Sequence, residues 1–350
     1  MFLDPVSSAP YYTDNQLTGY RRTTMASTTP EGLLHALLLD RNGGATRIEP
    51  AGIQNWQPED GLLWLHLDVA ERPPGEWMRT ALGLQSFVVE ALNADETRPR
   101  SLEVGDCLLT VLRGVNMNPG DDPEDMVSIR LWIERDRIIS TRRRKLLSVQ
   151  DMKTHLEQGT GPKSSGDFLA QLIARLADRI GDFVDAIEDR LSTIEEAESD
   201  DPVQVRRRSL AGLRRQIAAV RRFVAPQRDA LDRLYRNPGS LLSDTESNRL
   251  REEADRVTRY LEDLDLARER AVVLQEELMN ELAQLQNTRM YVLSVVAAIF
   301  LPLTFVTGLL GMNVGGLPGI ESPRGFIIAL VIMVATSAVM LVYFRFRKWL

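Results

Sequence analysis

Two uncharged apolar stretches, residues 290–310 and 326–344, constrain this 350-residue chain more than any other feature. Each is long enough to cross the hydrocarbon core of a bilayer as a helix, which takes about 20 residues. As core helices of a soluble protein, two such spans would need far more surrounding chain than is present. Nearly everything before Met290 is polar and charged. The sequence therefore predicts an integral membrane protein with two helical spans and a large part outside the lipid. Arg289 precedes the first span, Arg345, Arg347 and Lys348 follow the second, and only Arg324 lies between them. The positive-inside rule then places both termini in the cytoplasm, at the inner (plasma) membrane, with residues 311–325 as an external loop.

The segment before the first span is the next strongest signal. Leu250, Val257, Leu264, Ala271, Leu278, Leu285 and Val292 recur every seventh residue, with Leu261 and Leu282 beside them. No Gly or Pro interrupts the stretch from Thr245 to Phe300, so one helix is expected to run from the polar part into the span. Extended to Leu310 it would be about 100 Å long. A helix of that length needs neighbours along its course, from the chain or from symmetry-related copies. Two earlier helices can supply some. One carries Phe168, Leu172, Leu176, Ile180, Val184, Ile187 and Leu191 on a single face. The other opens at Asp201-Pro202, runs to about Tyr235 before Asn237-Pro238-Gly239, and is expected to kink at Pro226.

Between Leu33 and about Arg144 the pattern is of short apolar runs bounded by turn residues. Leu33–Leu39, Leu62–Leu67, Cys107–Leu112, Ile129–Ile133 and Arg137–Ser140 read as strands, and Pro74–Leu82 and Phe87–Leu92 as short helices. The fold class is α+β: an N-terminal α/β cytoplasmic domain, long stalk helices and two C-terminal transmembrane helices. The boundaries are 1–30 for a Ser/Thr/Pro-rich disordered arm, 31–165 for the α/β domain and 166–289 for the stalk. Residues 290–310 and 326–344 are the spans, 311–325 the loop and 345–350 a basic tail. The opening residues lack a secretory signal, and Met25 is an alternative start.

Several function classes drop out. The net charge of −7 argues against nucleic-acid binding. The single Cys107 and three scattered histidines, His35, His66 and His155, give no disulfide framework and no zinc-ligand spacing. No nucleophile–base pair or phosphate-cradling glycine loop points to an enzyme, and no cofactor is expected. Arg142-Arg143-Arg144-Lys145 is either a solvated strand end or a phosphate or lipid site.

Two helices cannot enclose an ion path, so transport would require an oligomer with one span facing its axis. On the first span Asn287, Met290, Ser294, Ala297, Leu301, Thr304 and Gly308 share one stripe. Their small or polar character suits a narrow wet axis or a helix-packing face. Neither span contains an ionisable residue. A bare divalent ion would pay tens of kcal/mol there, so a transported cation must keep its water.

The first span ends Gly311-Met312-Asn313, followed by Val314-Gly315-Gly316-Leu317-Pro318-Gly319. In this setting the tripeptide closely resembles the hallmark of the CorA-type divalent cation transporters. Phe300-Leu301-Pro302-Leu303-Thr304-Phe305 resembles the pattern that precedes it, and Leu109–Asn116 adds weaker support. The resemblance implies a homopentamer in the lipid bilayer, with a funnel and a pore lined by the first spans. It implies that Asn313 forms a polar ring binding the hydrated metal, and that Gly311 and Met312 hold the loop. Asn287, Met290, Leu293, Leu301, Thr304 and Gly308 match pore-lining positions, and Ala297 joins them from the stripe. The loop sequence is similar to the ZntB branch, so zinc is favoured as the transported divalent cation, with magnesium, cobalt or nickel the alternative. Glu321 is either an acidic attractant at the outer mouth or an ordinary loop carboxylate. Glu252, Glu253 and Asp255 are either regulatory ion sensors or solvated positions. A membrane-anchored coiled-coil scaffold explains the heptads and spans but leaves the tripeptide unmotivated.

Overall fold

The structure, a computed structural model, describes residues 32–196, 202–312 and 324–347. The N-terminal arm, the Asp201 cap, Asn313 and Glu321 lie outside the described residues. The chain divides into two compact units, 1–180 with 222–258, and 181–221 with 259–350.

The first unit is built on a seven-stranded sheet. Its strands are β1 (Leu33–Leu39), β2 (Ala45–Arg47), β3 (Leu62–Asp68), β4 (Arg100–Val104), β5 (Cys107–Gly114), β6 (Val127–Ile133) and β7 (Arg137–Arg142), in the order β2-β1-β3-β7-β6-β5-β4. Only β3 and β7 pair in parallel, at the centre. Central strands are covered on both faces, which explains why β3 and β6 are buried along nearly their whole length rather than in alternation. The Asn42-Gly43-Gly44 turn between β1 and β2 is held by Asp40, whose Oδ1 accepts from the Asn42 and Gly44 amides at 2.7 and 2.9 Å.

The short helices α1 (Pro50–Asn55), α2 (Gly75–Thr80) and α3 (Ser86–Asn93) share a buried cluster with one sheet face, where Met78, Val88 and Leu92 meet Leu65 and Ile139. Elsewhere on the sheet Trp64 packs edge-on to Phe168 of α5 (Ser165–Glu196), with ring centroids 4.9 Å apart. Gly114, at the end of β5, meets Leu146 and Leu176. A Cβ there would stand 2.7 Å from a Leu176 methyl and 2.8 Å from a Leu146 methyl. A further helix, α4 (Leu147–Glu157), was not read in the sequence because it carries no strong period.

Three arginines that looked available are engaged. Arg142 pairs with Asp68 at 3.3 Å, Arg143 with Asp95, and Arg144 with Asp125 at 2.6 Å. The solvated strand end is thus the better of the two readings. The weaker motif in β5 also has a structural job. Arg113 donates to the Thr97 and Met126 carbonyls and lies 3.9 Å over the Phe223 ring, and its own amide donates to Gln227 Oε1 at 2.7 Å. Sequence separation did not keep His35 and His66 apart. They stack across β1 and β3 with centroids 5.8 Å apart, yet no third ligand joins them among the described residues. Cys107 is half-buried against the core rather than enclosed.

The second unit contains the lower part of α5, the start of α6 (Val203–Arg236), most of α7 (Asp244–Leu310) and α8 (Gly325–Phe346). Every member of the predicted α5 face is buried, from Phe168 to Leu191. Helix α6 continues through Pro226 as one element. Helix α7 is one element of 67 residues, and its heptad positions are buried from Leu250 to Leu278. Beyond that Leu285 and Val292 are exposed among the described residues.

Candidate cation-conduction site

Helix α7 reaches its apolar half with no break, passing Pro302 inside the helix. Having no N–H, Pro302 leaves the Ala298 carbonyl without its usual intrahelical donor. No residue in the apolar windows of α7 and α8 is buried. Within that open surface each helix nevertheless has one half-shaded stripe. On α7 it is Val295, Ala298, Ile299, Pro302, Leu303 and Val306; on α8 it is Ala329, Met333, Thr336, Ser337 and Met340. The spacing of three and four residues in both marks one face of each helix. The second span, rich in Ile, Val, Met and Ala, carries such a stripe as well as the first.

The stripe predicted to face an axis lies on the other side of α7. At about 100° per residue, Met290, Ser294, Ala297, Leu301, Thr304 and Gly308 centre roughly 150° from the shaded residues. All of them are exposed, Leu301 to 74%. Asn287 sits one turn below on the same side, and Leu293 stands at its margin. Structure thus brings the predicted lining residues onto one open helix face. A Cβ placed on Gly308 would touch nothing, which leaves that level open.

The polar groups on this face are already half-satisfied. Ser294 Oγ donates to the Met290 carbonyl at 2.8 Å, and Thr304 Oγ1 to the Phe300 carbonyl at 2.8 Å. Thr307, on a different face, donates to the Leu303 carbonyl at 3.1 Å. Each hydroxyl spends its hydrogen on the turn below, so what it offers outward is an acceptor oxygen. An acceptor suits the hydrogens of water held by a cation. The hydroxyl pattern was visible in sequence, but its direction required the helix.

At the end of the span Gly311 N–H donates to the Thr307 carbonyl at 2.9 Å and Met312 N–H to the Leu309 carbonyl at 3.4 Å. The helix therefore closes where the tripeptide begins. Gly311 and Met312 are exposed.

The candidate sensors differ from one another. Glu252 and Asp255 are exposed, whereas Glu253 is half-buried and paired with Arg256 at 2.9 Å. Burial pushes the Glu253 carboxyl up, against the pull of Arg256. Arg256 also holds Asp178 at 2.6 Å, so Glu253 belongs to a structural ion-pair group.

Comparison with known proteins gives the same direction. The family model described as CorA-like Mg2+ transporter protein matches residues 59–348. The divalent cation transporter CmaX of Pseudomonas aeruginosa is 39% identical over 323 residues, covering 91% of this chain and 97% of that protein. The zinc transport protein ZntB of Pectobacterium atrosepticum is 34% identical over 319 residues, covering 91% and 96%. The structure of full-length CmaX superposes with a TM-score of 0.78 at 38% identity, covering 93% of this chain and 99% of that one. The chain belongs to the CorA-like family, whose members are divalent-cation transporters rather than enzymes.

Proposed function

We propose that copies of this chain, five by resemblance to the family, assemble in the inner membrane and take up zinc through a passage lined by the α7 stripe. The observation that carries this reading is the open, uncharged face from Asn287 to Gly308, whose hydroxyls present acceptor oxygens. A divalent ion crosses such a face with its first water shell intact, because nothing on it can replace that shell. Asn313 caps the passage as a polar ring, with Gly311 and Met312 shaping the turn and Glu321 adding negative charge at the mouth. The basic residues flanking the spans support cytoplasmic termini.

Zinc rests on the Val314–Pro318 loop and on the likeness to ZntB. The lining chemistry itself does not select it, since zinc favours nitrogen and sulfur and Met290 offers only a thioether. The test is uptake into reconstituted vesicles with zinc or magnesium as the sole divalent ion, with and without an imposed pH gradient. Zinc flux that falls sharply in Asn313→Ala is the expected result. Magnesium flux without zinc flux would overturn the choice of ion, and unchanged flux in Asn313→Ala would remove the asparagine ring.

A further inference from the structure

The second unit has two long outward faces that nothing among the described residues covers, and they match each other. Helix α6 carries Arg-Arg pairs at 207/208, 214/215 and 221/222, a strict seven-residue repeat. The first members of the latter two pairs turn inward: Arg214 donates to Gln275 and Arg221 pairs with Asp265 at 2.5 Å. The second members turn outward. Arg208, Ala211, Arg215 and Ala218 form one exposed stripe at spacings of three and four. Gly212, beside it, faces open space. Arg208 and Arg215 have no ion pair among the described residues.

On α7 the exposed stripe in the same unit reads Glu262, Leu266, Glu269, Val273 and Glu276, again at spacings of three and four. Leu266 and Val273 are 54% and 56% exposed, large apolar side chains on an otherwise charged surface. The three glutamates likewise have no ion pair among the described residues. One face thus alternates arginine with small alanine, and the other alternates glutamate with a large aliphatic residue.

Their heights also agree. Arg206 pairs with Glu281 at 2.7 Å and Arg221 with Asp265, so α6 and α7 run antiparallel within this unit. That register sets Arg208 and Arg215 beside the stretch of α7 bearing Glu269 and Glu276, offset by about 5 Å along the axis. An arginine side chain spans that offset. Copies rotated about an axis parallel to the helices keep their heights. A basic stripe on one copy then meets the acidic stripe of the next without sliding, and repetition closes a ring.

We infer that the α6 face of one copy docks on the α7 face of a second copy of this chain, Arg208 engaging Glu276 and Arg215 engaging Glu269 while Val273 and Leu266 seat against Ala211 and Ala218. The inference rests on the self-assembly proposed above and names the surfaces that carry it. The aliphatic knobs bury against alanine and glycine holes, and the charges set register and exclude like-to-like contact.

Two measurements test it on the full chain in detergent or nanodiscs. The first is the mass of the assembly by light scattering for R208E/R215E, for E269R/E276R and for the chain carrying all four. Each pair alone is expected to lose the wild-type oligomer peak, and the fourfold variant to regain it. The second mixes differently tagged copies carrying Ala211→Cys or Val273→Cys under mild oxidation, which should yield a mixed covalent dimer. Cross-links between A211C copies alone, or an intact oligomer in all three charge variants, would overturn the proposal while leaving self-assembly standing. A monomeric wild type would instead sink the assembly reading itself.

Discussion

The assignment of one α7 face to a watery axis can be tested at two neighbouring residues. Ala297 lies on the proposed lining stripe, whereas Val296 points about 100° away, outside both that stripe and the shaded one. They differ in depth by about 1.5 Å along the helix, so a carboxylate placed at either sits at the same level of the membrane. Facing lipid, an aspartate at mid-span costs roughly 3 kcal/mol of insertion free energy, about a hundredfold in the insertion equilibrium. Facing water, it avoids most of that cost and gains attraction for divalent cations.

Val296→Asp is therefore expected to reduce the membrane-inserted fraction severely. Ala297→Asp should insert near wild-type levels and saturate at a lower cation concentration. The two quantities are read from the alkaline-resistant membrane fraction and from the concentration dependence of vesicle uptake. Equal insertion losses in both variants would refute the wet-axis assignment, because the two faces would then see the same solvent.

Packing and titration give further expectations. Leu264→Ala empties a fully buried heptad position of α7 and should cost about 3 kcal/mol, read as a fall in thermal midpoint, while Val205→Ala on the exposed side of α6 should change it little. Gly114→Ala drives a methyl into Leu146 and Leu176 and should destabilise by about 2 kcal/mol by the same assay. His66 is fully buried, with Nδ1 2.8 Å from Ser140 Oγ, and burial first, then Arg142 and His35, push its pKa down to about 3. The fold holds it neutral, so its contribution is complete above about pH 6.5 and is lost as pH falls toward 3. Between pH 6.5 and 5, urea midpoints should drop with a slope of about tenfold in the unfolding constant per pH unit, and His66→Asn should flatten that slope.

The elements legible in the sequence were those whose burial repeats. The α5 face, the α7 heptads to Leu278 and the apolar runs of β3 and β6 all declare themselves, because one side of each meets the core along its whole length. What stayed hidden depends on contacts between distant segments. The short strands β2 and β4 are mostly exposed edge strands with little apolar signal. The stacking of His35 on His66 follows from strand register, and the Arg113 node joins β5 to a helix more than a hundred residues away. The proposed lining stripe was readable as a set of positions; that it lies opposite the half-shaded face of the same helix was not, since exposure depends on the folded surroundings.

The absence of carboxylates from the first span fits the passage proposed above. A ring of buried carboxylates would bind a divalent cation strongly, and an ion held strongly at one level leaves slowly. Neutral hydroxyl oxygens, each with its hydrogen tied to the turn below, attract the water around the ion rather than the ion itself. In the proposed passage binding is then shallow and spread over two hydroxyl levels, Ser294 and Thr304, separated by Ala297 and Leu301, whose side chains offer no polar atom. On this logic selectivity cannot reside in the lining, because water-mediated contact barely distinguishes two divalent ions of the same charge. It must arise where side chains first meet the hydrated ion, so exchanging the loop residues 314–319 should alter ion preference more than any single neutral substitution along Asn287 to Gly308.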